Sequence, residues 1–434
     1  MRRVVVTGLG VVSPIGTGLR RFFDALKAAT PGVAAIRSFD ATAFPTRIAA
    51  EVKDADLLGT PVPLQFEAAL RRDRKSMFGI LAGREALRHA FGGSSPQQHY
   101  EPRRIGLFSS AGLEIFHLED LVATWAGDTL DHGAAWTRAH QETLQIPSDL
   151  GARVLGEEAG AGGLRALNVS ACAAGTQSLG EAFLAVRDGV VDCVIAGGYD
   201  SMINPLGIGG FCLLEAMSRN NDDPGAASRP FDSRRDGFVL GEGAGFCVME
   251  DLPSAQRRGV RILAEVRGYA STLDAYRVSD PAADQSGAIA CMRACLRDGR
   301  VEPGEVGYIN AHGTATRKND PAETAAIKAV FGDASHRIPV SSTKSQIGHL
   351  IGAAGAVEFI AALLPLLEGV VPATINLDHP DPECDLDYVP LVPRPSNARI
   401  VLSNSFGFGG QNASILAASV EEGDRLADRN EACP

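Results

Sequence analysis

Short apolar runs with strand-like residue preferences alternate with amphipathic stretches of helical period along the whole 434-residue chain. This alternation confines it to an α/β architecture with largely buried sheets. The strand-like runs are residues 4–7, 105–109, 192–196, 245–250, 262–268, 306–310 and 400–404. Between them lie amphipathic stretches at 18–28, 74–90, 177–187 and 285–298. The order also repeats. Val4-Val-Val-Thr-Gly has the form of Ala264-Glu-Val-Arg-Gly, and Ile105-Gly-Leu-Phe-Ser has that of Val306-Gly-Tyr-Ile-Asn. Leu167-Asn-Val-Ser-Ala-Cys, followed by a helix pattern, likewise parallels Ile338-Pro-Val-Ser-Ser-Thr. A duplication with its joint near residues 252–259 divides the chain into halves 1–255 and 256–420. Residues 421–434 read as a frayed tail. Residues 114–163, with Trp125 and Trp136, read as an elaboration outside the repeated scaffold.

Composition removes several classes of function. With 41 Lys+Arg against 52 Asp+Glu the net charge is −11, so the chain lacks the cationic footprint of a nucleic-acid binder. The N-terminus enters a strand directly, without a secretory signal pattern. The greasiest stretch, residues 360–367, is flanked or broken by Glu358, Pro365 and Glu368 and falls short of the ~20 residues of a membrane span, so a buried core helix is expected. Eight cysteines without a Cys-x-x-Cys pair fit a reducing, cytoplasmic compartment. The 48 glycines announce tight turns and close backbone approaches.

Three segments carry chemistry. In Ser170-Ala-Cys-Ala-Ala-Gly-Thr, Cys172 stands between a short strand pattern and a helix whose Leu179, Phe183 and Val186 share one face. A thiol at a helix N-terminus is expected to ionise more easily, and its small neighbours admit a substrate. His312 lies in Asn310-Ala-His-Gly-Thr-Ala-Thr and His349 in Ser342-Thr-Lys-Ser-Gln-Ile-Gly-His, both beside strand ends, where open α/β folds place their sites. Neither histidine has a His or Cys at ligand spacing along the chain, so no metal is expected. The glycine cluster Asn404-Ser-Phe-Gly-Phe-Gly-Gly-Gln matches no phosphate loop. It suits a mobile gate or amides aimed at an oxyanion.

Together with the N-terminal Val-Val-Val-Thr-Gly-Leu-Gly and Ser228-Arg-Pro-Phe-Asp-Ser-Arg-Arg-Asp-Gly-Phe, these motifs resemble the elongating β-ketoacyl-acyl-carrier-protein synthases, in order from residue 3 to about 416. The resemblance implies a duplicated, thiolase-like α/β fold, layered αβαβα with two mixed sheets. It also implies decarboxylative condensation of an acyl-enzyme with a malonyl unit. Cys172 would be the nucleophile, the amides of Cys172 and Phe408 the oxyanion hole, and His312 and His349 the groups that hold the malonyl thioester carbonyl. Lys344 would support them, paired with Asp320 and Glu323. Thr314 and Thr316 would bind the pantetheine arm, Phe408 would also gate the site, and Leu113 would line the acyl pocket.

The resemblance implies no cofactor, since the substrates ride on the phosphopantetheine of an acyl carrier protein. It implies a homodimer, or a heterodimer with a related subunit. An acidic carrier meeting an acidic enzyme needs a local basic patch. Arg71, Arg72, Arg74 and Lys75 form one in sequence, and Arg317 with Lys318 lies beside His312. Glu215 and Gln411 depart from bacterial fatty-acid members and favour a specialised, polyketide-like pathway. Two other readings stand beside this one: a non-catalytic, chain-length-determining partner subunit, and an acyltransferase that does not decarboxylate.

Overall fold

In a computed structural model, residues 1–420 are described apart from 54, 56, 113–114 and 117–144, with backbone pairing alone at 115–116 and 145–146. Leu113, both tryptophans and the 421–434 segment lie outside the described residues.

Five strands of the first half are β1 (Val4–Ser13), β2 (Ile105–Ala111), β3 (Arg165–Asn168), β4 (Cys193–Ser201) and β5 (Glu242–Asp251). Five of the second are β6 (Ala264–Leu273), β7 (Tyr308–Asn310), β8 (Val340–Ser341), β9 (Ile400–Gly407) and β10 (Gln411–Ala418). Their spatial order is β3-β2-β4-β5-β1 and then β6-β10-β9-β7-β8. In each half one strand, β2 or β7, runs parallel to both neighbours, and the remaining pairings are antiparallel. The duplication is therefore visible strand for strand. The two mixed half-sheets join edge to edge, since Val4, Val5 and Val6 pair with Val266, Glu265 and Ala264, so they form one continuous sheet of eleven strands with Gly16–Thr17.

The helices follow the same repeat: α1 (Arg74–Phe91), α2 (Leu150–Glu158) and α3 (Ala174–Arg187), then α4 (Ser286–Gly299), α5 (Asn319–Phe331) and α6 (Ala354–Ala362). Helix α1 packs on β1, β4 and β5 and against α2, while α4 packs on β6 and β10 and against α5. Between them α3 and α6 touch each other and strands of both halves, giving the layers αβαβα. Helix α2 corrects the sequence reading of 114–163. Its end of that segment is part of the repeated scaffold and the counterpart of α5, which the tryptophan- and glycine-bearing flanks obscured.

Close approach fixes these layers. A Cβ on Gly8 or Gly10 would lie 2.3 or 2.0 Å from the carbonyl oxygens of Ala86 or Ala82, so α1 rides directly on β1. Asp73 caps α1, accepting the Lys75 N–H at 3.2 Å and the Ser76 hydroxyl at 2.5 Å. Residues 351–368 are apolar and long enough to cross a membrane, but 83 % of that stretch is buried as part of the central layer. The expected core helix is what the fold contains.

Candidate active site

Strand β3 ends at Asn168, and the chain turns through Ala171, held at φ 51°, before Cys172 opens the approach to α3. The second half makes the same elbow. Ile351 has φ 45°, and Ile351-Gly-Ala-Ala-Gly355 repeats Ala171-Cys-Ala-Ala-Gly175 ahead of α6. Left-handed backbone at two non-glycine residues is a strain that surrounding packing must hold. The sequence comparison had set Cys172 against the residues right after β8. The structure instead pairs it with Gly352, because nine residues, 342–350, carrying Lys344 and His349, separate β8 from its elbow where only two, 169–170, separate β3 from Ala171.

The elbows meet at the α3–α6 crossing. A Cβ on Gly175 would lie 2.6 Å from the Ala356 nitrogen, and one on Gly355 would lie 2.2 Å from the Thr176 hydroxyl. This contact brings Cys172 from one half to the histidines of the other. The Cys172 sulfur and ring nitrogens of His312 and His349 all fall within 4.8 Å of one another, and all three residues are buried. The imidazoles stand edge to face, with centroids 5.2 Å apart at 82°. Spacing along the chain could not reveal this cluster, so the argument against a metal from spacing does not hold. What opposes a dication is the Lys344 ammonium beside His312.

Each imidazole has its proton placed by a neighbour. Lys344 Nζ lies 3.2 Å from His312 Nδ1, and an ammonium can only donate, so this nitrogen accepts and the proton sits on Nε2. His349 Nδ1 accepts the Ile351 N–H at 3.1 Å, which leaves its Nε2 as donor too. That Nε2 is buried without a partner, a polar atom aimed into the cavity. Burial first, and then the Lys344 charge, pushes both imidazoles well below the usual histidine range, so they are neutral near pH 7.

Cys172 behaves differently from the expectation. Burial raises its thiol to about 11, against the pull of the Phe408 N–H and the Lys344 charge. The helix-terminus effect is outweighed by desolvation, and the resting sulfur carries its proton. The sulfur nonetheless lies under the backbone N–H groups of Phe408 and of Cys172 itself. The Phe408 turn continues through Gly409 and Gly410 at φ 79° and 74°, a path that suits glycine. It is tied to the rim by the Gly409 N–H to Val278 carbonyl bond of 2.6 Å and the Asp274 N–H to Gly410 carbonyl bond of 2.9 Å.

Other expected partners are rearranged. Lys344 does not pair with Asp320 or Glu323; its ammonium meets Glu358 at 2.5 Å, both groups fully buried. Glu323 instead accepts the His312 and Gly313 N–H groups, each at 2.8 Å, and so fixes the histidine loop. Asp320 accepts the Phe231 N–H at 2.8 Å and faces Arg235 at 3.6 Å. Sequence reasoning missed Glu358, although a single carboxylate inside an apolar helix was the available signal.

Thr314, Thr316 and Phe408 line the cavity, with the two threonine hydroxyls 3.0 Å apart. The basic run is split between surface and interior. Lys75 is fully buried and half-buried Arg71 binds the Leu57 and Thr60 carbonyls, whereas Arg72 and Arg74 are exposed, Arg74 pairing with buried Glu242 at 2.5 Å. Alternate residues of that helical segment turn inward, which a charge count cannot see.

Comparison with known proteins agrees with this geometry. Residues 1–255 match the family model of the β-ketoacyl synthase N-terminal domain, and residues 263–378 match that of the β-ketoacyl synthase C-terminal domain. The chain is 40 % identical to 3-oxoacyl-[acyl-carrier-protein] synthase 2 of Synechocystis sp., over 95 % of this chain and 97 % of that one. It is 39 % identical to the tetracenomycin polyketide synthase ketoacyl synthase alpha subunit of Streptomyces glaucescens, over 97 % and 98 %. Among solved structures it resembles a type II polyketide-synthase ketosynthase in complex with its acyl-carrier protein and bound to a hexaketide (TM-score 0.84, 32 % identity, covering 96 % and 100 %). It also resembles the ishigamide ketosynthase/chain length factor (TM-score 0.83, 32 % identity, covering 97 % and 100 %). A duplicated sheet, a buried Cys-His-His cluster and matches across both halves lead to one conclusion: the chain belongs to the β-ketoacyl synthase family.

Proposed function

We propose that the protein catalyses decarboxylative Claisen condensation between an acyl group held on Cys172 and a malonyl thioester, both delivered by an acyl carrier protein. The observation that carries this reading is the pair of fixed Nε2–H donors facing a cysteine that lies under two backbone amides. In the first step the Cys172 sulfur attacks the acyl thioester carbonyl, its proton leaves with the carrier thiol, and an acyl-enzyme forms. The Cys172 and Phe408 N–H groups receive the oxyanion. In the second, the malonyl thioester oxygen sits between His312 and His349. Its C–CO2 bond breaks, carbon dioxide departs, and the electron pair becomes an enolate held by both donors. The enolate carbon then attacks the acyl carbonyl, and the Cys172 sulfur is expelled and regains a proton.

The 1–255 half supplies the nucleophile and the 256–420 half supplies both histidines. Intact chemistry at all three positions disfavours the non-catalytic partner reading. Two donors aimed at one oxygen exceed what simple acyl transfer requires. Thr314 and Thr316 sit where the pantetheine arm enters. Strand β3 is a sheet edge flanked by Leu164 and Val169, which are 48 % and 50 % exposed, and this supports pairing with a second subunit across that edge. Among the described residues the seven cysteines are free and mostly buried, which is consistent with a cytoplasmic setting. Exposed Glu215, at φ 53°, is one of the departures that favour a specialised, polyketide-like pathway.

Incubation with acyl-carrier and isotope-labelled malonyl-carrier, followed by mass spectrometry, tests the assignment. A chain two carbons longer with one carbon dioxide released is expected from the wild type. A folded Cys172→Ala variant should make no carbon–carbon bond, and undiminished condensation by that variant refutes the scheme.

A further inference from the structure

Two loops frame the entrance to the Cys172 cavity: residues 274–282, leading from β6 toward α4, and residues 314–319, leading from His312 into α5. Charged side chains join them across the opening. Lys318 Nζ lies 2.6 Å from Asp280 Oδ1, and Arg277 Nη1 lies 3.5 Å from Asp280 Oδ2. The cations are largely open to solvent, at 69 % and 65 %, whereas Asp280 is 20 % exposed and tucked beneath them. An exposed pair of this kind contributes little to stability. Its position is more informative, because it sets one anion between two cations at the lip of a cavity that ends at a nucleophile. The same lip adjoins the N-terminus of the thirteen-residue α5, whose dipole favours negative charge.

On the ketosynthase reading, the group that enters here is a pantetheine arm whose thioester reaches Cys172 past Thr314 and Thr316, and the anion at the outer end of that arm is a phosphodiester. We propose that Lys318 and Arg277 form the binding site for this phosphodiester, and that Asp280 is a resident anion which the phosphate displaces. The exchange swaps one anion for another, with no bond made or broken and no proton moved. It leaves the lip only singly cationic when the site is empty, one anion against two cations, and exposes both cations to an incoming phosphate once Asp280 swings away. An acidic chain at −11 can thus recruit a phosphorylated arm without a broad basic face. It also gives a role to Lys318, one of the two basic residues beside His312.

Protection of Cys172 from alkylation by iodoacetamide reads occupancy of the cavity directly, with free phosphopantetheine and pantetheine as the two probes. In the wild type, phosphopantetheine should protect at a lower concentration than pantetheine. The ratio of half-protecting concentrations should widen by about two- to five-fold in Asp280→Asn, where the competing charge is gone. It should fall to near one in the Arg277→Gln/Lys318→Gln double variant. The same ratio in all three proteins overturns the proposal. Carbon dioxide release from malonyl-pantetheine, which carries no phosphate, tests the underlying reaction separately. Its absence alongside an intact phosphate preference would remove the ketosynthase reading and leave the anion site standing.

Discussion

Glu358 touches no substrate, yet replacing it with glutamine should abolish most decarboxylation. Its carboxylate is fully buried, and its partner in the structure is the Lys344 ammonium at 2.5 Å, which in turn reaches His312 Nδ1 at 3.2 Å. Glutamine keeps the shape and removes the charge. Leaving a buried ammonium without its counter-ion costs about 3–5 kcal/mol. Without that carboxylate the ammonium is no longer anchored beside His312 Nδ1, so the His312 proton can shift to Nδ1 and leave a bare lone pair at Nε2, where an enolate oxygen needs a donor. Loss of one preorganised donor costs about 2.7–4 kcal/mol, or ~10²–10³ in rate.

Carbon dioxide release from malonyl-carrier is the assay, with nitrogen NMR of His312 to read the tautomer. Release within about two-fold of wild type, with His312 still protonated on Nε2, refutes the reasoning. The same logic sets a pH dependence. Burial raises Glu358 from 4.5 to about 7, with Lys344 pulling the other way. Protonation below about pH 7 therefore mimics the glutamine, and decarboxylation should decline there. The stability contribution has the opposite sign. The folded state holds this proton more tightly than the unfolded state does, so the contribution is fully present below 4.5 and is lost as pH rises through about 7. Activity and this share of stability should move in opposite directions across that window.

Two further outcomes are expected. Alkylation of Cys172 should keep accelerating with pH and level off only above about 11, because burial raises the thiol; a plateau near 9 would mean the sulfur is better solvated than the structure shows. Gly175→Ala would place a Cβ 2.6 Å from the Ala356 nitrogen and force α3 and α6 apart. Overpacking of about 1–3 kcal/mol outweighs the ~1 kcal/mol gained in helix propensity. Since a misplacement of about 1 Å can cost ~10²-fold, condensation should fall more than the melting temperature suggests; unchanged condensation kinetics would contradict the crossing described.

The fold was legible where periodicity and glycine placement report local structure. Val4-Val-Val-Thr-Gly and Ala264-Glu-Val-Arg-Gly do mark equivalent strands β1 and β6, each with a register shift just before its glycine. What the sequence concealed were relations made by the third dimension. Helix α2 hid inside a segment that looked like an insertion. Cys172 was matched to the wrong turn because the second half carries extra residues before its elbow. The site residues Cys172, His312 and His349 were legible as small-residue turns at strand ends, and the family resemblance named Lys344 and Glu323 beside them, but which partner each one meets was not legible. Glu358 looked like an interruption in an apolar helix until the fold placed it on Lys344, and Lys75 looked like a surface charge until α1 turned it inward. Burial, which also reversed the expected direction of the Cys172 shift, is a property that local motifs do not carry.

The central claim is that His312 and His349 hold the malonyl thioester while Cys172 and the Phe408 amide handle the acyl group. Acylation of Cys172 and carbon dioxide release, measured separately in a His349→Ala variant, test it most directly. The account predicts that mass spectrometry still finds acyl-Cys172 formed at a rate near wild type, while carbon dioxide release falls by about 10²–10³. Equal losses in both half-reactions, or undiminished release, would contradict it.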